Sequence, residues 1–372
     1  MIRSVALPLS LILGCGILTG QERKFETNSR LSLGTEEHLS ASLRIGDLNA
    51  DGRLDVAVAN GRHWPQQNLI FFNQGRARFN LLRPLGRDMA TSYATELADL
   101  DGDGDLDIAV GNDTAPNAIF LNNGNGEFHH HGSFGKPSSI RSLTLADIDR
   151  DGDVDILANA RGRPNLIYLN DGSGQFPQSQ TFGNAVDSTI DVAVADLNRD
   201  GELDLVLANR DGQPNVVLLN QGDLTFTERI PFGTGKDETR AVAIADLDGD
   251  GHLDWACGNI GQLNSVYLSD GQGHVRKTLH FGRPGDQTYT LAIADMNNDE
   301  QLDIVVGNVR QSNAVYINKD GATDFQQIPF GDASESTYNL AVGDLNDDGY
   351  QDIAVANSGS INRIYLNLPD EK

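Results

Sequence analysis

A nine-residue acidic loop that returns seven times at an almost constant interval limits what this 372-residue chain can fold into more than any other feature. The copies begin at Asp47, Asp99, Asp147, Asp196, Asp246, Asp295 and Asp344, with successive starts 48 to 52 residues apart. So even a period marks a repeat architecture, in which each unit buries its apolar surface against the next.

Read by position, the loop is D-x-[D/N]-x-D-G-x-x-D, with oxygen-bearing side chains at positions 1, 3, 5 and 9. These are Asp47, Asn49, Asp51 and Asp55 in the first copy, Asp99, Asp101, Asp103 and Asp107 in the second, and Asp147, Asp149, Asp151 and Asp155 in the third. The fourth has Asp196, Asn198, Asp200 and Asp204, and the fifth has Asp246, Asp248, Asp250 and Asp254. The sixth has Asp295, Asn297, Asp299 and Asp303, and the seventh Asp344, Asn346, Asp348 and Asp352. Calcium takes six to eight oxygens in flexible geometry, and short alternating acids can converge on one such ion. Glycine at position 6 allows the sharp bend, and the backbone carbonyl of position 7 offers a further oxygen. The expectation is up to seven Ca²⁺ sites.

Acidic turns that only solubilise a surface are the plainer alternative, since Asp and Gly suit any tight turn. Turn chemistry, however, does not call for an Asp at position 9 in every copy. An EF-hand is excluded, because its Glu would fall at position 12, where Val58, Val110, Ala158, Leu207, Cys257, Val306 and Val355 stand. The sixth copy carries Glu300 in place of the Gly and is expected to be the weakest, since a left-handed non-glycine costs about 1–2 kcal/mol.

Around each loop the pattern is that of strands. Ala241-Val242-Ala243-Ile244-Ala245 precedes one loop with period two, and Asp107-Ile108-Ala109-Val110-Gly111 follows another. A third strand opens on Asn, as in Asn165-Leu166-Ile167-Tyr168-Leu169. Hairpin chemistry follows in Asp171-Gly172-Ser173-Gly174, and a fourth strand closes on Phe-Gly, as at Phe281-Gly282. No segment shows a helical period. The expected fold is all-β, a seven-bladed β-propeller of four-stranded antiparallel blades. The seventh repeat ends at its third strand, and Phe25 to Gly34 has the form of a fourth, so an N-terminal strand should complete the last blade and close the ring.

The loop spacing together with the repeated Phe-Gly resembles the FG-GAP and VCBS repeat family, found in integrin α-subunit propellers, a fungal lectin and many secreted bacterial proteins. The resemblance covers nearly the whole mature chain. It implies calcium ligands at loop positions 1, 3, 5 and 9. The "GAP" half is replaced by Ala59-Asn60, Gly111-Asn112 and Ala158-Asn159, so the bacterial branch is the nearer match and integrin-like ligand binding is not implied.

A net charge of −25 argues against nucleic acid or an anionic membrane surface as a partner. Seven divalent ions would bring that count to about −11, so calcium should relieve self-repulsion. Residues 1–20 read as an export signal: Arg3, then an apolar run from Val5 to Leu13 that is too short to cross a bilayer. Ile12-Leu13-Gly14-Cys15 resembles the bacterial lipobox, which would put a lipid on Cys15; ordinary cleavage after Gly20 is the alternative. The chain is thus expected to be secreted or an envelope lipoprotein of a bacterium, with a monomeric propeller over 24–368 and a tail over 369–372. The one remaining cysteine, Cys257, permits no internal disulfide, leaving calcium to staple the fold.

Two sets of residues are candidates for ligand binding. Most connections between second and third strands are alike, but the first is longer and carries Arg62-His63-Trp64-Pro65, where an exposed Trp could stack on a sugar or anchor a protein. The alternative is a loop packed on its own blade. Six residues before each loop stand Ala41, Tyr93, Arg141, Ile190, Arg240, Tyr289 and Tyr338, placed to line the mouth of a central channel. Tyr93, Arg141, Arg240, Tyr289 and Tyr338 can donate hydrogen bonds to an anionic group or a glycan; a solvated ring is the alternative. His129-His130-His131 falls on an outer strand and reads as surface. No motif reads as catalytic. Two functions from different classes follow: an extracellular calcium-stabilised binding or adhesion module for a glycan or protein, or a polysaccharide-acting, lyase-like enzyme on the same scaffold.

Overall fold

Residues 22–370 are described by a computed structural model of the chain, so the segment read as an export signal, with Cys15, lies outside the described residues. Among the described residues every regular element is a strand. The third repeat is representative. Its strands Ile140–Ala146, Asp155–Ala160, Asn165–Leu169 and Gln178–Phe182 pair antiparallel in that order. Five sheets of this kind stand between two blades that merge, the first and the last. The inner strands contact one another all the way round, with Ser32–Gly46 of the first blade against Thr337–Gly343 of the seventh.

Burial grades outward along each blade. Second strands such as Asp107–Asn112 are buried at every residue, because neighbouring blades cover both faces, whereas the outer strand Leu81–Pro84 is exposed throughout. The apolar core is accordingly divided into wedges between blades. One wedge joins Leu100, Ile119 and Phe134 to Ile140 and Leu143 of the next blade. In another, Trp255 meets Phe232 edge-on at 5.4 Å, beside the fully buried Cys257, whose thiol is pushed well up by burial. Glycine makes the closest approaches possible. A Cβ on Gly307 would lie 2.5 Å from Thr290 and 2.7 Å from Thr337 of the next blade.

Ring closure follows the expectation. Arg23–Glu26 pairs antiparallel with the C-terminal strand, Arg23 opposite Pro369 and Glu26 opposite Leu366, and Leu33 sits opposite Asn362. First and last segments of the chain therefore hold each other in register.

Polar latches reinforce the wedges. In every blade but the second, the Asn that opens a third strand accepts a backbone N–H from its own second strand and donates to a Ser or Thr hydroxyl of the next blade, as Asn215 to Thr239 at 2.8 Å. Asn264 to Thr288, Asn313 to Thr337 and, across the closure, Asn362 to Ser40 repeat it at 3.0 Å. Each buried amide is thereby satisfied, which an isolated buried polar group would not be.

Candidate calcium loops and channel mouth

In all seven loops the acidic side chains first fold the backbone onto themselves. The position-1 carboxylate accepts the position-6 amide in every copy, from Gly52 N–H to Asp47 Oδ2 at 2.8 Å through Gly349 N–H to Asp344 Oδ2 at 2.7 Å. The position-5 carboxylate accepts the position-7 amide, as Asp105 N–H to Asp103 Oδ1 at 3.0 Å. Most position-1 carboxylates spend their second oxygen likewise, as Asp99 Oδ1 on the Gly102 N–H at 2.8 Å, so backbone amides fix the carboxylate oxygens of the loop in place. In the three all-Asp copies these oxygens converge: one atom each from Asp99, Asp101 and Asp107, from Asp147, Asp149 and Asp155, and from Asp246, Asp248 and Asp250 lie within 4.8 Å of one another. Oδ1 atoms of Asp147, Asp196 and Asn346 are buried without a hydrogen-bond partner. Clustered hard oxygens of this kind could hold a divalent cation.

Position 9 has a second task. Asp55, Asp107, Asp155, Asp204, Asp254, Asp303 and Asp352 are fully buried, and each carboxylate accepts two backbone N–H groups. For Asp155 these come from Ile148 at 3.1 Å and Asn170 at 2.8 Å, tying the loop to the third strand. Burial, aided by the neighbouring acids, nonetheless pushes these carboxyls up, to about 7 for Asp155 and Asp352 and about 6 for Asp107 and Asp254. A bound cation would reverse that by favouring the ionised form.

Two loop positions, not one, require left-handed backbone. Position 6 does, as expected, and in the sixth loop Glu300 adopts it at φ 67° while keeping its N–H on Asp295 Oδ2 at 2.9 Å. The sixth loop therefore has the same turn as the others despite the missing glycine. Position 4 does too, held by Ala50, Arg150, Arg199, Asn298 and Asp347 as well as by glycine, a demand that the variable residue types there conceal.

The loops differ in what offsets their charge. Asn198 donates to Asp200 at 2.8 Å and Asn346 to Asp348 at 3.0 Å, so an Asn at position 3 supplies a proton where an Asp would repel. In the all-Asp fifth loop Arg276 of the outer strand reaches across instead, its Nη2 at 2.7 Å from Asp248 and 3.0 Å from Asp250. Arg53 pairs with Asp51 in the first.

The opposite end of the ring holds the other candidates, and the fold unites their two sets. Pairing between the inner and second strands slips at one place in each blade, and the residue left over is Ala41, Tyr93, Arg141, Ile190, Arg240, Tyr289 or Tyr338. Each is a β-bulge, which re-aims its side chain. Tyr93, Arg141, Arg240, Tyr289 and Tyr338 line a central cavity of about 450 Å³. The long first connection bends over its rim. The Arg62 guanidinium lies 3.9 Å from the Tyr338 ring centroid and donates to Ser358, and His63 Nδ1 is 3.1 Å from the Tyr93 hydroxyl. Trp64 is 72 % exposed beside them, so the loop is not packed away on its own blade.

Around the rim, aromatic and cationic groups pack against one another. Arg141 lies 4.4 Å over Tyr93, Tyr289 meets Tyr338 edge-on at 4.9 Å, and Arg240 lies 5.7 Å from Tyr289. Burial and the nearby Arg62 and Arg141 lower the His63 pKa, keeping the ring neutral at pH 7. The cavity has a floor. Arg44 donates to Glu96 at 2.7 Å and to Asn339 at 2.9 Å, linking the first blade to the second and the seventh. His129–Gly132 is an outer strand with His129 and His130 exposed, and its three histidines gather no other metal-ligating group among the described residues.

Comparison with known proteins agrees with this architecture. The model of the FG-GAP-like repeat matches six overlapping segments, 47–110, 99–158, 157–207, 196–257, 246–306 and 295–355. No curated protein matches the chain. Among solved structures, the chain is similar to BBS1N in its complexes with ARL6DN soaked with mercury and with lead. The TM-scores are 0.63 and 0.64 at 12% identity, covering 94% of this chain and 99% and 98% of those chains. At that identity the likeness establishes the fold.

Proposed function

This chain belongs to the FG-GAP-like repeat family, and from that premise we propose that it is a calcium-stabilised binding module, displayed outside the cell, whose ligand face is the channel mouth. The observation that carries this reading is the meeting of the one irregular connection, Arg62 to Trp64, with the bulged ring at Tyr93 and Tyr338. A repeat that breaks its own pattern only where the side chains converge is the place where a scaffold carries function. The solved relatives are propellers in complex with a protein, which supports a protein as the ligand here.

In the loops, residues at positions 1, 3 and 5 would hold the ion and position 9 would complete the set. Calcium would supply the positive charge that lets these acids stay ionised in one place. The chain's own contribution is the amide-to-carboxylate bonding, which arranges the oxygens in advance.

The test is binding by calcium-loaded protein, immobilised and offered extracellular proteins and a glycan array. The expected result is a ligand lost when Arg62, His63 and Trp64 are replaced together by serine, with melting unchanged. Release of unsaturated sugar ends from a polyuronate would overturn this reading in favour of the lyase-like enzyme.

A further inference from the structure

We propose that the channel mouth recognises an acidic segment of a protein partner, a run of Asp or Glu whose carboxylates are received by Arg62, Arg240 and Arg310. This rests on the mouth being the ligand face and adds what that face selects. In a chain of net charge −25, cations gathered at one spot call for a local explanation. Some arginines on this face have one. Arg141 pairs with Asp113 at 3.2 Å and Arg210 with Glu238 at 3.1 Å.

Three around Tyr338 form no ion pair. Among the described residues, Arg62 has only the Ser358 hydroxyl and the Tyr338 ring, and Arg240 lies over Tyr289 with no ion pair, facing the charge of the buried Asp191 on the adjacent inner strand, whose carboxylate is held by the Val242 N–H at 3.1 Å. Arg310, exposed, lines a second cavity of about 410 Å³ with Arg62 and Tyr338. That cavity adjoins the central one, since Tyr338 lines both. Three guanidinium groups that form no ion pair therefore lie around Tyr338. Arg62 and Arg240 are each held against a tyrosine ring, and a planar donor fork receives a carboxylate through two hydrogen bonds. The half-buried setting raises the attraction above that of a fully solvated pair.

The same geometry separates a peptide from a saccharide. A pyranose needs an open aromatic face, yet Arg62 covers Tyr338, Arg141 covers Tyr93, and Tyr289 and Tyr338 are set edge to face against each other. Trp64 alone keeps its ring free, which suits one apolar residue flanking an acidic run. Recognition is thus led by charge.

The experiment uses the whole mature protein in calcium, with Trp64 emission as the readout, because the only other tryptophan, Trp255, is fully buried in a blade wedge. A hexaglutamate peptide is titrated against a hexaglutamine peptide and an oligogalacturonate of equal charge. The expected result is saturable binding of hexaglutamate alone, weakened at least tenfold by Arg62→Gln or Arg240→Gln and by raising salt from 50 to 300 mM. Lys277→Gln, on an outer strand, serves as the control for bulk charge and should leave binding as it is. Absence of hexaglutamate binding, or binding equally affected by Lys277→Gln, overturns the proposal. Tighter, Arg62-dependent binding of oligogalacturonate overturns it in favour of an acidic saccharide. In the last case the mouth is still the ligand face. That face is itself refuted when a ligand is found whose binding survives the triple serine variant.

Discussion

The two faces of this propeller are built on opposite plans. On one, the same acidic loop is set down seven times with the same hydrogen bonds, even where Glu300 must take a left-handed backbone to do it. On the other, the seven bulged positions hold four different residue types, Tyr, Arg, Ile and Ala, and one connection is lengthened over them. Uniformity is what a closed ring demands of its fastenings, since one weak blade opens the whole. Divergence is tolerated only where side chains face a cavity rather than another blade. The first face should therefore govern stability and the second binding.

The largest effect that would sharpen this contrast is removal of calcium. With free ion at ten times Kd, each site adds about 1.4 kcal/mol, so seven sites add about 10 kcal/mol. For a domain of this length that corresponds to a fall on the order of 10 °C in Tm on adding a chelator at pH 7.5. The effect should carry a pH signature. Position-9 carboxyls have folded pKa values near 6 to 7, above the unfolded 3.8, so the metal-free fold binds more protons than the unfolded chain. Its stability should fall as pH rises from roughly 4 to 7, and calcium should remove or invert that slope. A metal-free protein that melts at the same temperature as the loaded one would break the comparison.

Next in size is Asp155→Ala, which leaves the Ile148 and Asn170 amides buried without acceptors. The expected loss is about 3 kcal/mol by denaturant unfolding. Trp64→Ala on the other face should stay within about 0.5 kcal/mol in the same measurement. Of opposite sign to Asp155→Ala, and smaller, is Glu300→Gly, which relieves the left-handed strain and should raise stability by about 1 kcal/mol or less, the unfolded chain's added freedom offsetting part of the gain.

Much of this was readable in the residues. The Asp loops announced the repeat and the blade count, and Phe25 to Gly34 announced the strand that closes the ring. The candidate ring residues could be named from spacing alone, because bulges at a fixed distance from a fixed loop share a register. What spacing could not convey was that Arg62 would lie over Tyr338, 276 positions away, or that His63 would reach Tyr93. The latches escaped as well. Asn215 reads as a turn residue, and only the neighbouring blade reveals that its amide is spent on Thr239.

By itself, then, the order of residues determined the repeat, the strand pattern, the acidic loops and the ring that closes on its own ends, because these depend on local backbone preference and on period. Tertiary structure alone decided which oxygens stay free for an ion, which arginines are left without a carboxylate and which long-range pairs form the mouth. The reason is physical: partnership and burial are properties of what comes to lie alongside, and in a ring the neighbours in space are about fifty residues away, or at the other end of the chain.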